Sequence, residues 1–470
     1  MSISSPTDTP PLDGALITEL EQRFGADAVL SAPADCWPYG YDNSRRQGLP
    51  QAVVFATRHD EVVDLVCFCH EHRLPLIARG KGTGTTGATV PLHGGIVLSL
   101  ERMARIVDID PGNRIAQVEP GVTNRELQQA LAPHGFFWPP DPTSAAVCTL
   151  GGNLAYNSAG PHAVKYGTPR ENTLGLTAVT GLGETLHTGV RTTKGVVGYD
   201  LTRLLIGSEG TLAVITGATL KLTPLPETRR TLRIGYRDIH SAARAVSAIM
   251  AQPVTPSALE FMDGGALELV RSTADLSIDP DIGALLLVEV DGLESCIEPA
   301  VARVTAAARN PGMIDLHGAR PGEETVHLWR ARSALSPALR KIAPKKINED
   351  VVVPVSRIPD LIEGLEGVAR DTGIRIINFG HAGNGNIHVN LLFDPDDPTR
   401  LQQGRRALDA LFDLVLALGG TLSGEHGVGL EKRDFVSREI DPVTLRLMTD
   451  LKRRFDPRNI LNPGKALPPV

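Results

Sequence analysis

The stretch "LPLIARGKGTGTTGATVPLHGGIVLSL", Leu74 to Leu100, decides how the first half of this chain is read. Gly82 to Gly87 spell G-x-G-x-x-G behind a strand-like apolar run, and Glu101 stands about where a ribose-binding acid belongs. That fingerprint works by opening a helix whose N-terminus meets a pyrophosphate. Here Pro91 and Gly94-Gly95 intervene and another strand follows, so the Rossmann reading fails. A P-loop fails too, because Lys81 is followed by Gly82 and not by Ser or Thr. What remains is a loop of bare N–H groups. It can hold a pyrophosphate as a nest or serve as a structural turn, and the residues alone leave both open.

Outward from this loop, four more glycine clusters appear: "TLGGNLAYNSAG", "GSEGTL", "GHAGNGN" and "GGTLSGEHGVG". Such clusters allow close backbone approach to a ligand, although tight turns leave the same mark. From Val53 to about Pro224 the pattern is short strands with few helices. Asp60 to His72 reads as a helix, and Thr123 caps another over "NRELQQALAPHG". A boundary falls near "TPLPETRR". Beyond it "TLRIGY", the helix Ile239 to Ala251 and "ALEFMD" alternate, then "ALLLVEV", the helix Cys296 to Arg309 and "MIDLHG". This rhythm predicts a second α+β domain.

A chain of 470 residues is long enough for two cores. Its net charge of −7 carries no electrostatic footprint for nucleic acid and no polybasic face for anionic lipid. The first fourteen residues are polar and proline-rich, unlike a signal peptide, and read as a disordered lead-in. No apolar run approaches a membrane span. Five scattered cysteines argue for a reducing compartment. The expectation is a soluble cytoplasmic protein.

Among candidate ligands, "CFCHEH", Cys67 to His72, falls on a helix that turns Cys67 and Cys69 about 200° apart, so core packing is the better reading. The stretch "NFGHAGNGNIHVNLL", Asn378 to Leu392, reads as two strands around a hairpin turn. That turn can bring His381 and His388 onto one face. With Glu425 from "SGEHGVG" they would make a two-histidine, one-carboxylate set suited to zinc or a similar divalent ion, with His426 left over as a general base. Polar histidines satisfied in turns remain the competing reading. Arg330 and Arg332 lie on a predicted helix with Lys345 and Lys346 beyond it. An inward arginine could hold a carboxylate bidentately, although a solvated basic face explains most of them.

Taken in order, "ARGKGTGTTG", "PPDPTSAAVCTLGGNLAYNSAG", "KYG", "GVVGYDLTRLLIGSEGTLAVIT", "GHAGNGNIHVN", "SGEHGVG" and "ILNPGK" resemble the flavin dehydrogenases of the vanillyl-alcohol oxidase / p-cresol methylhydroxylase fold. The matching branch holds D-lactate, D-2-hydroxyglutarate and glycolate dehydrogenases. The resemblance implies an α+β, two-domain p-cresol methylhydroxylase-type fold with a ferredoxin-like α+β cap. Its expected parts are the lead-in 1–14, an FAD-binding domain 15–224, a substrate or cap domain 225–420, and a C-terminal segment 421–470 that completes the site.

The same resemblance implies noncovalent FAD. Its pyrophosphate loop would be Arg79, Gly80, Lys81, Gly82, Thr83 and Gly84. Pro142, Thr143, Thr149, Gly151, Gly152 and Asn153 would form a second contact segment, Glu209, Gly210 and Ile215 a third, and Asn462 the closing contact. It carries over His381, His388 and Glu425 as ligands of a divalent metal, zinc first and manganese, cobalt or iron as alternatives. His426 becomes the base, Asn390 a polar contact, Arg332 the carboxylate-binding arginine, and Ser336 stands where some members have threonine. Lys81 departs from the glycine usual in the loop and adds a charge that could pair with phosphate. The lysine marking the hydroxyglutarate branch is Asn348 here, with Lys346 two residues earlier, which favours a smaller acid.

The implied activity is FAD- and metal-dependent oxidation of a D-2-hydroxy acid, D-lactate first, D-2-hydroxyglutarate second, glycolate or a D-mandelate-type acid as alternatives. Electrons would leave to an electron-transfer flavoprotein, a cytochrome or a quinone, and a homodimer is compatible with the sequence. Competing readings are a metal-dependent hydrolase, a noncatalytic flavin-binding module, and an oxidase of the same fold.

Overall fold

A computed structural model describes residues 12–273, 278–320, 322–339, 343, 345–394 and 396–468. All but the last three residues of the expected lead-in fall outside that set, and Gly14 already opens a helix, Gly14–Phe24. The chain forms two units. The first holds 1–159, 167–225 and 425–470; the second holds 160–166 and 226–424.

Among the described residues the first unit carries two larger sheets and a two-stranded pair, Phe136–Phe137 with Thr223–Pro224. One orders Val29–Leu30, Ala52–Phe55, Ile96–Ser99 and Leu76–Arg79, the last three mutually parallel. The helix His59–His72 covers it, burying Val62, Leu65, Val66, Phe68 and Cys69 against Val54, Leu76 and Leu98. Cys69 packs in this core as expected, but Cys67 is exposed. The 200° between them puts one on the solvent side, so only half of the core reading holds. The other sheet is antiparallel: Ile106–Asp110, Ile115–Val118, Ala213–Lys221, Thr173–Thr180 and Thr185–Gly189. Beside it Thr123 starts the helix Asn124–Leu131 with a full capping box to Glu126.

The second unit is one seven-stranded antiparallel sheet. Its order is Met313–Ala319, Thr228–Tyr236, Ala284–Gly292, Ala258–Met262, Arg375–His381, Asn386–Phe393, Lys345–Val352. Helices Gly264–Thr273 and Glu323–Ala338 bury Leu267, Ala331 and Leu335 against Ile377 and Phe379. The expected helix Ile239–Ala251 is observed with those ends, capped by Asp238, and Glu294–Ala308 replaces the expected 296–309. The crossing segment 160–166, unnoticed in the sequence, is pinned to this sheet by buried acids. His162 Nε2 lies 3.1 Å from Glu289, and both Lys165 and Tyr166 bond Asp291.

Candidate functional site

In the first unit, Arg79 ends a strand and the chain turns through Gly80–Gly87 before returning as Ile96–Ser99. A narrow cleft opens here, lined by the loop and by the segments around Thr149 and Glu209. Of the expected flavin contacts, Arg79, Gly80, Thr149, Gly151 and Gly152 line it on one side. Glu209, Gly210, Ile215 and Asn462 line it on the other. Glycines and alanines supply a large share of the lining. A Cβ on Gly80 would sit 2.2 Å from Thr149 Oγ1, and one on Gly151 2.6 Å from Pro120 Cβ. Glycine and alanine walls with a buried arginine beneath fit a ligand carrying phosphates and a flat ring system.

Several expected contacts are used otherwise. Lys81 ion-pairs with Glu101, which also accepts from Tyr39, so its charge already has a protein partner. Arg79 donates to Tyr41 O at 2.8 Å, and Gly82, at φ +64°, folds over its guanidinium. Asn153 is buried beside Asn124 and Cys148, a packing role, and Gly82, Thr83, Gly84, Pro142 and Thr143 lie outside the cleft lining. The Glu209 carboxylate accepts from Val428 N–H at 2.6 Å and Gly429 N–H at 2.8 Å, which fixes the turn carrying His426. Burial pushes Glu209 up to about 6 against those donors and Lys432 and Lys465. Thr86 bonds the His426 carbonyl, and Gly427 packs on Tyr156, a cleft residue.

Two residues here escaped the sequence reading. Tyr156 lines the cleft, and burial holds its phenol well above the usual range. Lys465, inside the quoted "NPGK", is enclosed and donates to Ala88 O at 2.7 Å; burial brings its ammonium down to about 7, opposed by Asp42 and Glu209.

In the second unit, a 3-10 turn, Ala382–Asn384, joins strands Arg375–His381 and Asn386–Phe393. Gly385 closes it at φ +75°, where a Cβ would strike Val353 O at 1.9 Å. Phe379 pairs with His388, so His381 lies on the diagonal of the same face. The two imidazole centroids are 5.2 Å apart, and both residues are buried. Asp350 pairs across from His388 and takes Ser423 Oγ and the Gly424 N–H. That tether fixes the residue peptide-bonded to Glu425. One potential ligand atom each from His381, His388 and Glu425 lies within 4.8 Å of the others, and Glu425 Oε1 is 3.9 Å from His426 Nε2. Two imidazoles and a carboxylate at that spacing fit a borderline divalent ion.

Behind the pair sits Glu260, on the neighbouring strand and 1 % exposed. Its Oε1 is 2.6 Å from His381 Nδ1 and its Oε2 2.6 Å from Arg332 Nε. Burial raises its carboxyl, and His381 and Arg332 outweigh that, leaving it below the ordinary value. The Arg332 guanidinium also stacks 4.8 Å over Phe379. Asn390 spends its amide N–H groups on Ile377 O and His388 O, and its buried Oδ1 has no hydrogen-bond partner among the described residues. Lys346 Nζ bonds Ser336 Oγ at 2.8 Å, so these two expected contacts are brought together. Glu260 and Asp350 were missed. An acid within the apolar strand "ALEFMD" was the available signal.

Residues 50–189 match the model of an FAD binding domain, and 225–466 match that of the C-terminal domain of FAD linked oxidases. The chain is 38 % identical to glycolate oxidase subunit GlcD of Bacillus subtilis (strain 168), over 95 % of each chain. It is 36 % identical to a probable mitochondrial D-lactate dehydrogenase of Danio rerio, over 96 % of this chain and 91 % of that one. A solved p-cresol methylhydroxylase with substrate bound superposes with TM-score 0.78 at 18 % identity, over 96 % of each chain, which establishes the p-cresol methylhydroxylase-type fold. This chain belongs to the FAD-linked oxidases and is an FAD-linked oxidoreductase of their D-lactate/glycolate dehydrogenase branch.

Proposed function

We propose that this oxidoreductase converts a small D-2-hydroxy acid to the 2-oxo acid, D-lactate first and D-2-hydroxyglutarate second, and passes the electrons from FAD to a non-NAD acceptor. The observation that carries this reading is the clustering of His381, His388 and Glu425 with an arginine held through Glu260. A hydroxy acid offers a hydroxyl for a metal and a carboxylate for an arginine. Hydrolysis would leave the glycine-walled cleft without a role.

His381, His388 and Glu425 would hold the divalent ion, zinc first, which when bound supplies Lewis acidity to a hydroxyl and so eases its deprotonation. Arg332 binds the substrate carboxylate through its Nη atoms, because Nε is taken by Glu260. Asn390 Oδ1 offers an acceptor, and His426 takes the hydroxyl proton. The cleft lined by Gly80, Gly151 and Gly210 would bind FAD, which supplies the acceptor for the C2 hydrogen and its electron pair. Lys346 Nζ already donates to Ser336 Oγ and the Ser336 carbonyl, which leaves it less available to a second carboxylate and supports the smaller acid.

Glycolate is the second reading, favoured by the printed name of the 38 % identical relative. The test is an anaerobic absorbance titration of the purified flavoprotein with D-lactate, D-2-hydroxyglutarate, glycolate and L-lactate. Bleaching by D-lactate and not by L-lactate is expected. Bleaching by glycolate alone would move the assignment to that acid, and a spectrum that no acid bleaches would remove the substrate class.

A further inference from the structure

We propose that Glu260 is a positioning residue shared by the metal site and the acid-binding site, one buried carboxylate that sets both His381 and Arg332. The inference rests on the reading of the site given above. A carboxylate at 1 % exposure is expensive to keep ionised unless its oxygens are paired. Here each oxygen has its own partner at 2.6 Å, the His381 imidazole on one side and the Arg332 guanidinium on the other. The three residues come from three separate elements: Glu260 from the strand Ala258–Met262, His381 from the hairpin strand Arg375–His381 and Arg332 from the helix Glu323–Ala338.

The consequences follow from donor and acceptor inventories. An ionised carboxylate only accepts, so His381 donates its Nδ1–H and presents the Nε2 lone pair. That is how a buried acid orients an imidazole for a metal. On the other side, Glu260 takes Arg332 Nε and turns the remaining fork, the two Nη atoms, toward whatever carboxylate is bound. Phe379 supports the same guanidinium from its face. Metal affinity and acid affinity are therefore coupled through one side chain that touches neither ligand. A purely structural ion pair would leave both affinities unchanged once the protein had folded.

Glutamine at this position keeps the volume but has one accepting and one donating end. If its oxygen serves His381, its NH2 faces the Arg332 donor; reversed, the His381 tautomer is lost. Glu260→Gln and wild type would be compared by zinc competition against a chromophoric chelator and by the visible spectrum of the cobalt-substituted protein. The D-lactate concentration giving half-maximal flavin reduction and the limiting rate would be measured alongside. Expected is a loss of metal affinity of about 10- to 100-fold, with a half-saturation concentration raised about tenfold or more at unchanged FAD content. Glu260→Asp, which keeps the charge on a shorter arm, should recover part of both, and carries the test if the glutamine variant does not fold. Unchanged metal affinity and half-saturation would overturn the proposal, and so would a change in only one of them. A wild type that binds no stoichiometric metal would instead defeat the metal reading itself, and this inference with it.

Discussion

The glycine-lined cleft at Gly80, Gly151 and Gly210 and the histidine hairpin His381–His388 are both candidate ligand sites, but they are built from opposite materials. At the cleft, glycines and alanines supply a large share of the lining, and the neighbouring Lys81 pairs with Glu101. At the hairpin side chains make the candidate site, and two buried acids brace it: Glu260 behind His381, and Asp350 on the segment leading to Glu425. A backbone site tolerates many side chains and fails when a Cβ is added. A side-chain site tolerates little at its ligands and depends on bracing residues distant in sequence.

The largest effect that separates the two regions is expected from His388→Ala. Removing one imidazole should abolish stoichiometric metal and slow substrate-driven flavin reduction on the order of a thousandfold, about 4 kcal/mol, while bound FAD stays at wild-type level. Stopped-flow reduction with metal and flavin analysis checks it. Loss of FAD together with metal would mean that the two sites are not separately built.

The converse is Gly80→Ala. Its Cβ would meet Thr149 Oγ1 at 2.2 Å, so the loop must shift at a cost of about 1–3 kcal/mol. FAD occupancy should fall while zinc affinity holds, read by absorbance after gel filtration and by chelator competition.

A smaller effect tests the clamp between Glu209 and the turn after His426. Glu209 titrates near 6 when folded, above its ordinary value, so the folded state binds that proton more tightly than the unfolded chain. Its contribution is therefore greatest below about pH 4 and is lost as pH rises to about 6, by roughly 1–2 kcal/mol. In urea unfolding of the metal-free apoprotein, wild type minus Glu209→Gln should shrink by that amount between pH 4.5 and 7. A difference that grows with pH contradicts the assignment.

The smallest effect belongs to neither region. Thr123→Ala removes one half of the capping box and should cost about 1 kcal/mol with flavin and metal content unchanged.

What could be read beforehand follows the same division. The glycine clusters and the hairpin pattern are local, so the cleft lining at Gly80, Gly151 and Gly210 and the pairing of His381 with His388 were visible in short stretches. The helix Ile239–Ala251 was readable to its ends because Asp238 caps it at a change of rhythm. Bracing was not readable. Glu260 lies 121 residues before His381, and nothing in "ALEFMD" names its partner. Lys81 invited a phosphate because charge is easy to see in a sequence, whereas Glu101, 20 residues on, had been weighed only as a ribose ligand. The segment 160–166 joins the second unit through Glu289 and Asp291, more than a hundred residues away, so a linear domain boundary could not contain it.

The decisive experiment is flavin reduction by D-lactate before and after metal removal. Chelation should leave the flavin spectrum intact and abolish bleaching by D-lactate, and added zinc or manganese should restore it. Bleaching that persists at full rate in protein shown to be metal-free would contradict the role given to His381, His388 and Glu425.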